Sequence, residues 1–414
     1  MTSLDADLNE RLAALRAQNL FRELRRVESP QSTRIKIGGR TLLNFSSNDY
    51  LGLANDALLK EAAIRAVEKF GAGSGAARLV CGSLAPFHEL EESLAAFKRT
   101  EAALSFSTGY ATAIGTIGAL MGKEDVIVLD KLVHACLVDA ARLSGATMRV
   151  FAHNDLDNLE AKLQWAAGHS HASSGGSRQV LIVTESVFSM DGDTAPLREI
   201  VALKEKYGAW LMVDEAHATG VAGPGGRGWA AELGVSERIE IQMGTLGKAL
   251  GASGGFICGS RLLIDFLVNR ARSFIFSTAP APAAAAAANT ALALAQSEEG
   301  EARRKIVQAR IAEFQSPIAN RRSAIQSCII PIIIGGEDRA VAAAEELREQ
   351  NIFVPAIRYP TVARGSARLR ITLTAGHTKE DVATLVAALA TNLGNSRNAR
   401  SNAPRSDAIV NRKL

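Results

Sequence analysis

The segment Ala209–His217, with the sequence AWLMVDEAH, decides the fold class. An unbroken apolar run opens it, and two carboxylates, an alanine and a histidine follow directly. Such a run is typical of a strand that is buried on both faces, as in a parallel sheet. Ligand sites in these sheets lie at the carboxyl ends of the strands, so we expect Asp214 and His217 to face a site. The structural alternative is an aspartate that only caps a turn at the strand end.

Further apolar runs predict strands on both sides of this segment, and the amphipathic stretches between them predict crossover helices. The runs are Val126–Leu129, Arg149–Phe151, Val180–Thr184 and Gly255–Cys258. Strands that alternate with helices predict an α/β fold with a mainly parallel central sheet. Ser83 and Pro86 have the spacing of an N-cap and a first-turn proline, and they predict the start of one helix.

The sequence after Pro282 predicts a second, smaller α+β unit. It contains predicted strands at Ile329–Ile334, Ile352–Ile357 and Leu369–Leu373, with predicted helices at 339–350 and 379–393. The last residues are rich in Asn, Ser and Arg, which predicts disorder. We therefore divide the chain into an N-terminal segment (1–45), a large domain (46–290), a small domain (291–394) and a disordered tail (395–414).

Composition and charge exclude several classes of protein. The 414 residues are 47% hydrophobic and 22% charged, as in folded globular proteins. The net charge of +4 is too small to predict nucleic-acid binding. The four cysteines form no CxxC pair, so we expect neither a metal site nor a disulfide framework. The N-terminus has no signal-peptide pattern and no apolar run is long enough to span a bilayer, so we expect a cytoplasmic protein without a membrane partner.

A lysine stands among small residues in GTLGKALG, at residues 244–251. Lysine becomes a nucleophile when burial or a cationic neighbour removes its proton, and it then forms an imine with an aldehyde. Thr245 and the neighbouring backbone N–H groups could bind a phosphate. The glycine-rich segments at 71–76 and 223–228 are weak candidates for dinucleotide binding, because the first follows a predicted helix and Pro224 makes the second a flexible loop.

Several motifs in a fixed order resemble those of one known family. They are NFSSNDYLG at 44–52, VDEAH at 213–217, GTLGK at 244–248, FST at 276–278 and RLRIT at 368–372. This succession resembles the α-oxoamine synthases, which are pyridoxal-phosphate enzymes of fold type I, the aspartate aminotransferase-like fold. The resemblance extends from about residue 20 to about residue 393. It implies a homodimer in which Lys248 holds pyridoxal 5'-phosphate as a Schiff base.

The resemblance also implies roles around the cofactor. Asp214 would pair with the pyridine nitrogen, and His217 would bind the ring hydroxyl. His134 would stack on the ring, although a histidine in an apolar run is otherwise a core residue. Lys248, Asp214 and His134 form the implied catalytic set. The other implied cofactor contacts are Gly109, Tyr110, Ser189 and Thr245, with Ser277 and Thr278 from a partner subunit.

The substrates follow from the branch of the family that the chain resembles most, which acts in biotin synthesis. That branch joins L-alanine to pimeloyl-CoA or pimeloyl-carrier protein with loss of carbon dioxide. Arg358 would hold the amino-acid carboxylate, and Asn48 and His134 would contact the substrate. Thr361 would line the acyl path. Arg25 would meet the distal carboxylate, unless it lies on a solvated helix face.

Two residues depart from the pattern of that branch. Tyr110 stands where phenylalanine is commoner, and Tyr359 stands where proline is frequent. Tyr359 resembles the branch that joins glycine to acetyl-CoA, which is therefore the enzymatic alternative. A noncatalytic pyridoxal-phosphate carrier or regulator is the alternative from another class of protein.

Overall fold

The computed structural model describes residues 2–168, 178–315 and 327–401. The strands are β1 (Arg34–Ile37), β2 (Arg40–Asn44), β3 (Ala102–Phe106), β4 (Val126–Asp130), β5 (Thr147–Phe151), β6 (Val180–Glu185), β7 (Trp210–Asp214), β8 (Ile241–Thr245), β9 (Gly255–Gly259), β10 (Ile329–Gly335), β11 (Ile352–Phe353), β12 (Ala356–Ile357) and β13 (Ala367–Thr372). The helices are α1 (Ser3–Ala17), α2 (Ala57–Phe70), α3 (Ala85–Lys98), α4 (Gly109–Leu120), α5 (Ala135–Ser144), α6 (Leu156–Gly168), α7 (Leu197–Tyr207), α8 (Trp229–Glu232), α9 (Arg261–Arg270), α10 (Arg272–Ile275), α11 (Pro282–Gln296), α12 (Glu298–Gln315), α13 (Glu337–Glu349) and α14 (Lys379–Ser401).

A seven-stranded sheet in the order β3-β9-β8-β7-β6-β4-β5 forms the centre of the molecule. Strands β4 to β8 are parallel, whereas β9 runs antiparallel to both of its neighbours, β8 and β3. Alternate residues of β9 enter separate apolar clusters, with Ile257 in one and Phe256 and Cys258 in the other. The sheet is therefore covered on both faces, as its unbroken apolar runs require. The predicted α/β class with a mainly parallel sheet is confirmed.

The remaining strands form two smaller sheets of three strands each. Strands β10, β13 and β12 form an antiparallel sheet, and β11 joins the N-terminal hairpin by pairing in parallel with β2. The single strand predicted at Ile352–Ile357 is wrong, because it is two strands that belong to different sheets. Pro355, which lies between them, has no N–H group for a strand ladder. The domain limits stay a prediction, and α11 runs across the proposed boundary at residue 290.

Two helix ends differ from the prediction. Helix α3 has Leu84 rather than Ser83 as its N-cap, and the Ser83 hydroxyl accepts a hydrogen bond from Arg78 Nε at 2.9 Å. Helix α14 continues to Ser401, into the stretch predicted to be a disordered tail, and the rest of that stretch (402–414) lies outside the described residues. Within the described ranges, no helix combines the length and the apolar character that crossing a membrane requires.

Candidate active site

The parallel strands end in polar residues at one edge of the central sheet. The last residues of β4, β6, β7 and β8 are Asp130, Glu185, Asp214 and Thr245. Glu185 and Asp214 are paired in the register of β6 and β7, so these two carboxylates leave the sheet side by side. The predicted position of the site, at the carboxyl ends of the strands, agrees with this arrangement.

Lys248 lies in the turn after β8, beside His217. Its Nζ atom is 2.8 Å from His217 Nε2, and the hydroxyl of the buried Tyr50 is 2.5 Å from His217 Nδ1. Burial lowers the pKa of Lys248, although the charges of Asp214 and Glu185 oppose this effect. Burial also lowers the pKa of His217 well below its usual value. Burial therefore shifts Lys248 toward the neutral amine, which is the nucleophilic form.

The two carboxylates beside Lys248 are almost completely buried. Asp214 is 5% exposed and Glu185 is 2% exposed. Burial raises the pKa of both groups, and that of Glu185 reaches about 8 because the charge of Asp214 adds to the effect of burial. The carboxylate of Asp214 accepts a hydrogen bond from the backbone N–H of Ala216 at 2.9 Å. A cationic ligand at this position would stabilise the ionised form of Asp214.

His134 is the N-cap of α5 and faces solvent on the same side of the site. Its Nδ1 accepts from the backbone N–H of Cys136 at 3.2 Å, and its own backbone N–H donates to Glu185. Partial desolvation by the surrounding protein lowers the pKa of His134, while the charges of Asp214 and Lys248 act on it in opposite directions. The neutral, exposed ring can therefore stack on a planar ligand.

The first turn of α4 is held against the end of β8. A Cβ atom at Gly109 would lie 3.9 Å from Thr245 Oγ1, and one at Gly255 would lie 2.7 Å from the Cα of Gly109. Only glycine at position 255 lets the helix come this close. The Tyr110 hydroxyl points away to Asp139, at 2.6 Å, so Tyr110 can offer its backbone N–H to this site. The free N–H groups of a helix N-terminus beside a threonine form a suitable anion site.

Arg370 on β13 is a site residue that the residue-by-residue prediction missed. It is 7% exposed, and its Nε donates to the backbone carbonyl of Ser189 at 2.6 Å. Its Nη1 donates to Asn48 Oδ1 at 3.1 Å, and its charge lowers the pKa of Lys248. Arg370 thus brings the predicted residues Ser189 and Asn48 together. The alternating pattern RLRIT was the available signal, because it places Arg368 and Arg370 on one face of a strand.

Arg358 is not part of this cluster, and its predicted role as the ligand of the amino-acid carboxylate stays a prediction. Its guanidinium donates to the backbone carbonyls of Asn19 and Phe21. It lines a separate pocket of about 450 Å³ together with Arg25, which donates to Glu345 at 3.1 Å. Arg358 lies after β12, where the chain turns outward to the N-terminal segment.

Three predicted residues lie away from Lys248 within one chain. Thr361 is exposed in the turn after Arg358, to whose carbonyl its backbone N–H donates at 3.0 Å. Thr278 is exposed and pairs with Ala77 in an isolated bridge, and Ser277 precedes it. No contact among the described residues joins these side chains to the cluster, so their predicted roles stay predictions.

The donor set fits pyridoxal phosphate group by group. The amine of Lys248 suits an aldehyde, the N-terminus of α4 suits a phosphate, and the buried carboxylate of Asp214 suits a protonated ring nitrogen. The face of His134 suits an aromatic ring. These groups lie on different strands and come together only through the fold.

Comparison with known proteins identifies the family. The family model described as aminotransferase class I and II matches residues 40–389. The 8-amino-7-oxononanoate synthase of Geotalea daltonii is 50% identical over 384 residues, which cover 92% of this chain and 96% of that protein. The predicted resemblance to the α-oxoamine synthases is therefore confirmed.

Solved structures agree with this comparison. A serine palmitoyltransferase from S. paucimobilis, with a bound PLP–myriocin aldimine, superposes with a TM-score of 0.88 at 26% identity and covers 96% of this chain and 100% of that one. An 8-amino-7-oxononanoate synthase from Francisella tularensis gives a TM-score of 0.72 at 27% identity, covering 86% and 99%. The chain belongs to the class I and II aminotransferase family.

Proposed function

We propose that the chain is an 8-amino-7-oxononanoate synthase that condenses L-alanine with a pimeloyl thioester and releases carbon dioxide, in biotin synthesis. The observation that carries the proposal is the 50% identity to a synthase of that name over 92% of the chain. The cluster of Lys248, His217, Asp214 and His134 supports it, since these groups suit the cofactor that the reaction needs.

Pyridoxal phosphate, when bound, withdraws electrons from the substrate Cα. Lys248 would hold its aldehyde carbon and Asp214 its ring nitrogen, while His217 would donate to the ring oxygen. The backbone N–H groups at Gly109 and Tyr110 would bind the phosphate with Thr245. Ser277 and Thr278 of a second subunit would complete the phosphate site in a homodimer.

Lys248 is the group that moves the substrate proton. Its lowered pKa allows the free Nζ to remove the proton from Cα and to return one to the product. Burial of Asp214 and Glu185 beside it keeps bulk water from these groups. His134 would close the opposite face of the site, and its exposed ring would contact the substrate.

Arg370 is the residue that we propose for the amino-acid carboxylate. Its hydrogen bonds go to the carbonyl of Ser189, to Asn48 and to Thr372, which are all neutral acceptors. A substrate carboxylate would therefore be the anionic partner of a nearly buried guanidinium.

The pocket around Arg25 is a candidate for the distal end of the acyl substrate. Arg22, Arg25, Arg348 and Arg358 line it, and Glu345 forms ion pairs with Arg25 and Arg348. The surplus of guanidinium groups suits a carboxylate or a phosphate. Thr361 would lie along the path to this pocket. We place the reaction in the cytoplasm.

A substrate panel tests the proposed reaction. The purified protein is incubated with pyridoxal phosphate, and release of CoA or carrier protein is measured for alanine and glycine, each with pimeloyl and acetyl thioesters. Alanine with a pimeloyl thioester should give the highest kcat/KM. Preference for glycine with acetyl-CoA would contradict the proposal and support the enzymatic alternative. A protein that binds the cofactor and turns over none of the four pairs would support a carrier or regulator.

Two substitutions test the assigned residues. Lys248→Ala should abolish both turnover and modification by borohydride at this position. Arg370→Lys should raise the KM for alanine about tenfold or more, because a planar bidentate donor is lost. Arg358→Lys should change the KM for alanine less than about twofold, since its guanidinium lies in the other pocket. The reverse order of the two arginine effects would support the role predicted for Arg358 from the sequence.

A further inference from the structure

Tyr50 is a buried residue of the NFSSNDYLG segment that the proposed mechanism leaves without a role. Its side chain is completely buried, and its hydroxyl lies 2.5 Å from His217 Nδ1 and 3.3 Å from Asn48 Oδ1. The other ring nitrogen of His217, Nε2, lies 2.8 Å from Lys248 Nζ. The three side chains form one line of contacts from the buried phenol to the lysine amine.

Among the residues that the structure describes, two side chains contact the Tyr50 hydroxyl as possible acceptors of its proton. Asn48 Oδ1 is distant and already accepts from Arg370 Nη1 at 3.1 Å, whereas His217 Nδ1 is close. The shorter contact therefore takes the proton. Burial raises the pKa of Tyr50, so the phenol keeps a proton to donate.

The tautomer of His217 follows from this hydrogen bond. Burial lowers the pKa of His217, so the ring is neutral and carries a single N–H. A ring that accepts at Nδ1 must carry its proton on Nε2. Nε2–H then donates to Lys248 Nζ, which accepts only as an unprotonated amine. In the opposite tautomer Nδ1 carries the proton, and the Tyr50 hydroxyl could then donate only to Asn48 Oδ1, at 3.3 Å.

We propose that Tyr50 is a positioning residue that fixes the Nε2–H tautomer of His217 and so presents Lys248 as a free amine. The proposal rests on the proposed function, in which Lys248 reacts with the cofactor aldehyde. In that reaction the Nζ lone pair bonds to the aldehyde carbon, and the aldehyde oxygen leaves as water with the two amine protons. The same Nε2–H is the donor that the proposed contact between His217 and the cofactor ring oxygen needs.

The tautomer can be measured directly by NMR. The full chain, labelled with ¹⁵N-histidine and freed of cofactor, is compared with a His217→Asn variant that assigns the His217 signals. We expect the wild-type protein to show a protonated Nε2 and an unprotonated Nδ1. A protonated Nδ1 in the wild-type protein would overturn the proposal, and this measurement depends on no variant of Tyr50.

The effect on Lys248 is tested with Tyr50→Phe, which keeps the ring and removes only the hydroxyl. Tyr207→Phe is the matched control, because it removes a hydroxyl that donates to Glu160 at 2.9 Å, away from the site. With pyridoxal phosphate added to the cofactor-free proteins, imine formation followed by absorbance should slow about two- to tenfold in Tyr50→Phe, the factor for one hydrogen bond. The control should react at the wild-type rate.

The outcomes separate this proposal from the proposed function. Tyr50→Phe that keeps the Nε2–H tautomer and the wild-type rate would overturn the role of Tyr50, whatever the substrate panel gives. Loss of the tautomer with the slower rate supports it even if the protein condenses a different amino acid and thioester. A slower rate with an unchanged tautomer would assign Tyr50 a packing role instead and would also overturn the proposal.

Discussion

Lys98→Met should destabilise the fold strongly, because it breaks a buried ion pair behind the active site. Lys98 Nζ lies 2.5 Å from Glu215 Oε2 and 2.6 Å from the carbonyl of Arg227, and both side chains of the pair are 1% exposed. Glu215 follows Asp214 directly. Its other oxygen accepts from the backbone N–H of Ala230 at 2.9 Å. The pair ties the end of β7 to the end of α3 and to the glycine-rich segment at 223–228.

The magnitude follows from what each substitution leaves behind. Lys98→Met leaves the Glu215 carboxylate without its cation, at a cost of about 3–5 kcal/mol in the free energy of unfolding. Glu215→Gln leaves a buried ammonium, with a cost of similar size. The double variant leaves no charge, and replacement of a buried pair by neutral groups is often close to neutral. We therefore expect it to lose about 1 kcal/mol or less.

Urea unfolding of the wild type, both single variants and the double variant completes a double-mutant cycle. Lys206→Met serves as the control, because Lys206 pairs with Glu160 at 2.6 Å with its side chain 61% exposed, and solvent screens such a pair so that it adds little to stability. If the double variant lost as much free energy of unfolding as the two single variants lose together, the two side chains would have no coupling energy and the reasoning would be refuted.

Two further predictions concern the surroundings of the site. Gly228→Ala should destabilise the protein by about 2 kcal/mol or more in urea unfolding. The new Cβ would lie 2.3 Å from Glu215 Oε2, and the φ of 118° is strained for any residue but glycine. An unchanged urea midpoint would contradict this close contact. His153 contacts Asp130 at 3.0 Å and Asp193 at 2.7 Å, and these carboxylates overcome burial and raise its pKa from 6.5 to about 10. The wild type should therefore have a larger free energy of unfolding than His153→Gln, and this difference should be largest below pH 6.5 and vanish as the pH rises through 10. A difference that grows with pH would refute a charged His153 held between the two carboxylates.

The strands of the central sheet could be predicted where their apolar residues are large and continuous. Val126–Asp130 and Trp210–Asp214 are examples, and both are buried almost throughout. Strand β3, with the sequence AALSF, gave no such signal because large apolar residues occupy only two of its five positions. The direction of β9 is set by its antiparallel pairing with β8 and β3. A run of apolar residues has the same pattern in either direction, so sequence reasoning could not find it.

The residues of the site are likewise of two kinds, those that a local sequence pattern predicts and those that only the packing of distant segments brings in. Asp214, His217 and Lys248 could be predicted because each lies at the end of a strand or within three residues of it, where a local pattern places it at the sheet edge. Tyr50 and Arg370 reach the site from distant parts of the chain, and their contacts depend on how the N-terminal segment and β13 pack on the central sheet. Such packing has no local pattern.

The choice between the arginines of β13 and Arg358 depends on their partners. Arg368 and Arg370 leave the same face of β13, but Arg368 pairs with the carboxylate of Asp191 at 2.6 Å. Across the described ranges 2–168, 178–315 and 327–401, no carboxylate pairs with Arg370. The guanidinium of Arg368 is thus neutralised by a carboxylate of the protein, whereas that of Arg370, two residues further along the strand, is held by neutral acceptors beside Lys248. A nearly buried cation without an anionic partner is costly in a protein, and the carboxylate of an amino-acid substrate would supply the missing charge.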